Sequence, residues 1–148
     1  MDFSLDAFCY STVIQTRWSD FDMLGHANNA VYITWLETAR MNYVLEVGGW
    51  DHREYGMVVA HVSIDYKRPV EMKHSRPEVL IRTSHLGKSS FKLDYAIISR
   101  GKDGEVTLHT LAHTVMVTLD PVKGTPIPLP DMLRKQLSGG NTETSSAK

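Results

Sequence analysis

Apolar and polar positions follow a helical period over one stretch of the chain and a period of two over four others. Across residues 30–47 no Pro or Gly interrupts the pattern, and Gly48-Gly49 follows as a stop signal. Val31, Tyr32, Ile33, Trp35, Leu36, Ala39, Tyr43, Val44 and Val47 cover most of that helix's circumference, leaving Thr34, Glu37, Thr38 and Asn42 as the polar remainder. A helix apolar over so wide an arc is expected to be buried. Ahead of it, residues 11–18 carry Val13, Ile14, Thr16 and Trp18, a composition that suits a first strand. Behind it, Val58, Ala60, Val62, Ile64 and Tyr66 alternate with Val59, His61, Ser63, Asp65 and Lys67, so one face of this strand is expected to meet the core. Residues 78–86, 90–100 and 105–119 continue the alternation, with Gly101-Lys102-Asp103-Gly104 as a hairpin turn between the last two.

The expected order is therefore strand, long helix, four strands. A sheet of this size buries one long apolar helix only by curving around it. The predicted fold is α+β, a hotdog: a curved antiparallel five-stranded sheet wrapped around one long central helix. Pro121, Pro126, Pro128 and Pro130 then interrupt regular structure, and the last residues are small and polar. This predicts a hotdog domain over residues 1–137, closed by a short capping segment, and a disordered polar tail over 138–148.

A chain of 148 residues is the size of one ordinary domain and can bury a stable core. A formal charge of -1, with cations dispersed among acids, argues against nucleic acid, which calls for a basic stripe. The opening MDFSLDAFCY has no basic segment ahead of an apolar run, and no stretch is long enough to span a bilayer, so the expectation is a cytoplasmic protein with no membrane partner. Cys9 is the single cysteine, which excludes an intramolecular disulfide and a thiolate zinc cluster. His109 and His113 are four apart, a helical ligand spacing. In a strand they would point the same way yet lie far apart, and no metal is expected.

The candidate chemistry lies in the polar loop Asp20-Phe21-Asp22-Met23-Leu24-Gly25-His26-Ala27-Asn28-Asn29, which leads into the helix. The first turn of a helix presents unpaired N–H groups and the positive end of its dipole, which polarise a carbonyl oxygen set against them. An adjacent carboxylate could attack the carbonyl carbon or activate water, with a histidine positioning or protonating a participant. Gly25 allows a close approach or a positive φ. The bland reading of Asp22 is an Asx turn or a cap, and Asn28 and Asn29 are good N-caps by composition. Asp20 is expected to make a structural hydrogen bond to the loop, and Glu37 to pair with Arg40.

The run TRWSDFDMLGHANNAVYITWLETAR resembles the first strand, loop and helix of the 4-hydroxybenzoyl-CoA thioesterase-like branch of hotdog proteins, through the pattern DxDxxGHxNNxxYxxxxExAR. The likeness extends more weakly to Leu119. It implies an acyl-CoA thioesterase with Asp22 as the catalytic carboxylate and the backbone N–H of Asn29 binding the thioester oxygen. His26 matches a histidine of plant acyl-carrier-protein thioesterases, although those enzymes carry Asn where this chain has Leu24. Another bacterial branch has its histidine where Asn29 stands. Tyr32, with Phe21, Met23 and Trp35, would accept an apolar or aromatic acyl group. The segment His85-Leu86-Gly87-Lys88-Ser89-Ser90-Phe91 is similar to the family segment that meets the CoA phosphates, which implies substrate contacts at Lys88, Ser89 and Ser90. Lys67, Arg68 and Lys92 are read as solvated. The resemblance also implies a homodimer or homotetramer and no cofactor. An acyl-carrier-protein thioesterase, a dehydratase and a non-catalytic acyl-thioester binding module are the alternatives.

Overall fold

The computed structural model describes residues 3–74 and 76–146, with residues 140–146 described as backbone. Five strands, β1 (Tyr10–Val13), β2 (Gly56–Tyr66), β3 (Glu78–Leu86), β4 (Ser90–Arg100) and β5 (Val106–Leu119), accompany two helices, α1 (Asn29–Glu46) and α2 (Asp131–Ser146). All pairings are antiparallel, in the order β1-β3-β4-β5-β2, so β1 and β2 are the sheet edges. The architecture is the hotdog fold.

The inward face of the sheet meets α1. Tyr32, Trp35, Leu36, Ala39, Tyr43 and Val44 pack against Val79, Ile81, Phe91, Leu93, Tyr95, Ile97, Ala112 and Met116 in one cluster. Each large side chain removed from water there contributes roughly 1.5–3 kcal/mol. Leu80, Ala96, Ile98 and Leu111 form a second, smaller cluster, which Phe3, Leu5 and Phe8 of the N-terminal segment cover.

Three features differ from the sequence expectations. The first strand ends at Val13, short of residue 18, because the carboxylate of Asp20 accepts from the Arg17 backbone N–H at 2.8 Å and draws Trp18–Asp20 into a 3-10 turn. The long helix is buried on one side only: Ile33, Met41 and Leu45 are exposed, as are Val58, Val59 and Val62 on β2. β2 is an edge strand, so this chain supplies neighbours on one flank alone, and its apolar alternation is left facing solvent. The proline-rich ending gives way to α2, held by the buried Leu133 and Leu137, with Leu133 packed so closely that a Cβ on Gly48 would sit 3.0 Å from its Cδ1. α2 continues as helical backbone as far as Ser146, and residues 147–148 of the tail lie outside the described residues.

The two histidines of β5 also part company. A register shift between Ile97 and Ile98 leaves His109 as the extra residue, fully buried, with Nε2 2.8 Å from Ser99 Oγ and Nδ1 3.1 Å from the Pro69 carbonyl. His113 instead stacks on His61, with centroids 5.5 Å apart. Among the described residues no group of three His, Cys, Asp or Glu side chains could hold a metal ion. No helix there is long and apolar enough to cross a membrane.

Candidate active site

The loop from Asp20 to Asn28 is tied down at both ends. Asp20 is buried, its carboxylate bonded to Arg17 and its carbonyl accepting from the Asn28 N–H at 2.8 Å, which is the structural role expected of it. The Ala27 N–H donates to the Val70 carbonyl and the Met72 N–H to the Gly25 carbonyl, which straps the loop to the segment following β2. Gly25 turns the chain at φ +76, a conformation costly for any residue with a Cβ.

Asp22 sits at the tip of this turn. Its Oδ1 accepts from the Leu24 N–H at 2.9 Å and the His26 N–H at 3.1 Å, and its backbone N–H donates to the His26 carbonyl at 2.8 Å. Both readings of the residue thus meet in one carboxylate: Oδ1 makes the Asx-type turn, while Oδ2 has no hydrogen-bond partner among the described residues. Asn28 is the helix cap, its side chain accepting from the Ala30 N–H at 2.9 Å. Asn29 opens α1, and its backbone N–H, one of the orphan donors of the first turn, meets no acceptor among the described residues.

Asp22, His26, Asn29 and Tyr32 line one cleft of about 190 Å3, together with Ala27, Tyr66, Lys67, Arg68 and Pro69. Four of the seven residues expected in the site are therefore brought together. The Tyr32 hydroxyl accepts from the Val70 N–H at 3.0 Å, and its ring meets Tyr66 edge-on at 5.0 Å. Burial, with Tyr66 and Asp22 adding to it, pushes the Tyr32 phenol above its ordinary value, so it remains protonated at neutral pH. The His26 ring borders the cleft without a hydrogen bond to another described residue. Tyr66 is a site residue that sequence reasoning assigned only to a strand face: its hydroxyl donates to the Asn29 carbonyl at 3.1 Å and steadies the first turn of α1. Its position at the end of β2, a single aromatic closing an alternation of smaller residues, was the available signal. Lys67 and Arg68, read as solvated surface, border the same cleft.

Lys88, Ser89 and Ser90 lie elsewhere. They form the β3–β4 turn, where the Ser89 carbonyl accepts from the Thr118 N–H at 3.0 Å and the Lys88 carbonyl from the Leu129 N–H at 2.8 Å. β3 runs from Glu78, beside the end of β1 that leads into the Asp22 loop, to Leu86 beside this turn. A strand of that length spans roughly 26 Å, so within one chain the two groups occupy opposite ends of the sheet.

Asp22 and the start of α1 share one cleft at the end of a sheet wrapped around that helix, the architecture of the hotdog fold. The chain belongs to the thioesterase-like superfamily, whose model matches residues 16–137. It is 31% identical over 90 residues to the uncharacterized protein YsmA of Bacillus subtilis, a match spanning 60% of each chain. The PA5185 protein of Pseudomonas aeruginosa shares 30% identity and superposes with a TM-score of 0.81, over 90% of this chain and 92% of that one. A thioesterase of Thermus thermophilus, solved with coenzyme A and Zn, shares 28% identity at a TM-score of 0.79, over 93% and 98% of the two chains.

Proposed function

We propose that the protein hydrolyses an acyl-CoA thioester to a carboxylic acid and CoA, with Asp22 as nucleophile or general base. The observation that carries this is the division of labour in one carboxylate, Oδ1 held by two backbone N–H groups and Oδ2 left unbonded, on a residue that lines the same cleft as the start of α1. The thioester oxygen accepts from the Asn29 N–H, so the charge that builds on it in the transition state meets a fixed donor and the helix dipole. Oδ2 then either adds to the carbonyl carbon, expelling the CoA thiolate and leaving an anhydride that water opens, or removes a proton from water as the water adds. His26 borders the reacting atoms and protonates the departing thiolate. Tyr32 and Tyr66 wall the cleft.

The exposed apolar row on β2 and α1 supports a second part of this reading, an antiparallel pairing of β2 with β2 of a second copy. A two-fold pairing inverts the second sheet and sets its β3–β4 turn at the Asp22 end of the first. Lys88, Ser89 and Ser90 of that copy then lie between two and three strand spacings from the shared edge, roughly 10–15 Å. There the Lys88 ammonium meets the CoA phosphates as a point charge.

The test is thiol release from a panel of short, medium, long and aromatic acyl-CoAs. Wild type releases thiol, and the Asp22→Asn variant does so about 10²- to 10⁴-fold more slowly. Near-native rates in the variant would remove Asp22 from the mechanism. Acyl-CoA binding with no thiol released over hours would favour a binding module.

A further inference from the structure

Among the described residues, Arg40 is the one buried cation that no strong polar contact accounts for. It lies on α1, with its side chain 8% exposed, and lines a pocket of about 230 Å3 with Glu37, Met41, Val44, Trp50, Met57, Val58, Val59 and Met116. A guanidinium carries five N–H donors. Here Nη1 reaches the Tyr95 hydroxyl at 3.4 Å, a long contact, and that oxygen is already bonded to Thr114 Oγ1 at 2.7 Å. Nη2 stands 4.0 Å from a Glu37 carboxylate that is 64% exposed, and water screens such a contact heavily. No other polar partner of Arg40 is present among the described residues. None of its nitrogens is among the buried side-chain atoms left without a partner, so the spare donors open on the pocket, where the walls of methionine, valine and tryptophan offer them no acceptor.

We infer that this pocket receives the distal end of the acyl group and that Arg40 selects acyl chains ending in a carboxylate. The inference rests on the thioester-hydrolase reading above. Its place in the paired molecule fits: Met57, Val58 and Val59 open β2, and antiparallel pairing sets the opening of β2 beside the second copy's Asp22 loop, so the pocket faces the carbonyl held there. The apolar walls take the methylene chain and the guanidinium fork takes the terminal carboxylate in two parallel N–H···O bonds. The carbonyl chemistry is unchanged; Arg40 acts on which thioester is held, not on the bonds that form and break.

The experiment compares two substrates that differ only at the far end, octanoyl-CoA and suberyl-CoA, in wild type, Arg40→Met and Arg40→Lys. Wild type is expected to favour suberyl-CoA in kcat/KM by on the order of tenfold to a hundredfold, the range of a charge-assisted hydrogen bond pair. Arg40→Met brings the ratio to about one, and Arg40→Lys, a charge without the fork, leaves it in between. Binding of the matched S-octyl and S-(7-carboxyheptyl) thioethers of CoA to wild type gives the same comparison with no scissile carbonyl and no variant that must fold. Should no thioester be cleaved, the hydrolytic reading fails, and the thioether preference still decides this inference. Equal affinity for the two thioethers, the result expected where a second copy's own carboxylate satisfies Arg40, overturns it. So does a preference for suberyl-CoA that Arg40→Met retains.

Discussion

Replacing Asp22 by Asn and by Ala separates the two jobs that its carboxylate performs. Asn keeps an amide oxygen where Oδ1 stands, so the bonds from the Leu24 and His26 N–H groups persist, and only Oδ2 is lost, replaced by an NH2 that neither attacks nor takes a proton. Ala removes both bonds. A typical hydrogen bond contributes about 0.5–1.5 kcal/mol net, and two near the solvent-exposed tip of the loop belong toward the lower end, giving about 1–2 kcal/mol. For a chain of this length that corresponds to a thermal midpoint about 2–8 °C lower. Thermal unfolding at one fixed protein concentration, which holds any association constant, together with thiol release, reads both effects. The expected pattern is a near-native midpoint with little activity for Asn, and a lowered midpoint with little activity for Ala. Equal midpoints for the two variants would show that Oδ1 does not hold the loop. Activity in the Asn variant would show that Oδ2 does not do the chemistry.

Val62→Asp places a charge on the exposed row of β2, so sedimentation should report a smaller species than wild type and thiol release should fall, while the chain stays folded; an unchanged assembly would place the interface elsewhere. Leu133→Ala empties a fully packed position beneath Gly48 and should cost about 2–5 kcal/mol in denaturant unfolding; a cost near zero would mean that α2 does not seal this end of the core. Burial lowers the pKa of His109, against the opposing pull of hydrogen bonds to the Arg68 and Pro69 carbonyls and with the charge of His74 adding to it, so the folded protein binds this proton less readily than the unfolded chain does. Stability from this group is complete above the ordinary histidine value of 6.5 and falls as pH drops below it toward the folded value. Thermal midpoints should therefore decline more steeply between about pH 6.5 and 5 in wild type than in His109→Gln, and parallel declines would exclude His109 as the source.

The candidate site was largely legible as a sequence because its parts are consecutive. Asp22, Gly25, His26, Asn28 and Asn29 lie within eight residues, and a turn followed by a helix start leaves few ways to arrange them. The cap at Asn28, the structural role of Asp20 and the turn at Gly25 are local consequences of residue type. Tyr66 reaches the same cleft from 37 residues away, and no local rule specifies that its hydroxyl meets the Asn29 carbonyl. Lys88 shows the converse. Its likeness to a substrate-binding segment is a property of the sequence, whereas its distance from Asp22 within one chain follows from the direction of β3.

The periods of the apolar pattern determined, by themselves, one long helix, the strands and their antiparallel wrapping, because burial of a side chain every second or every third to fourth residue admits few alternatives. Strand order, which the pattern does not encode, was decided by the tertiary structure. It set β2 at an edge and thereby exposed residues whose alternation alone marks them as core. It also decided α2, where helix formation after four prolines depends on Leu133 and Leu137 finding a cavity at the end of the sheet, and the burial of Arg40, which the sequence places only as a partner of Glu37. In each case the deciding energy is a contact between residues far apart in the chain, which a local pattern cannot register.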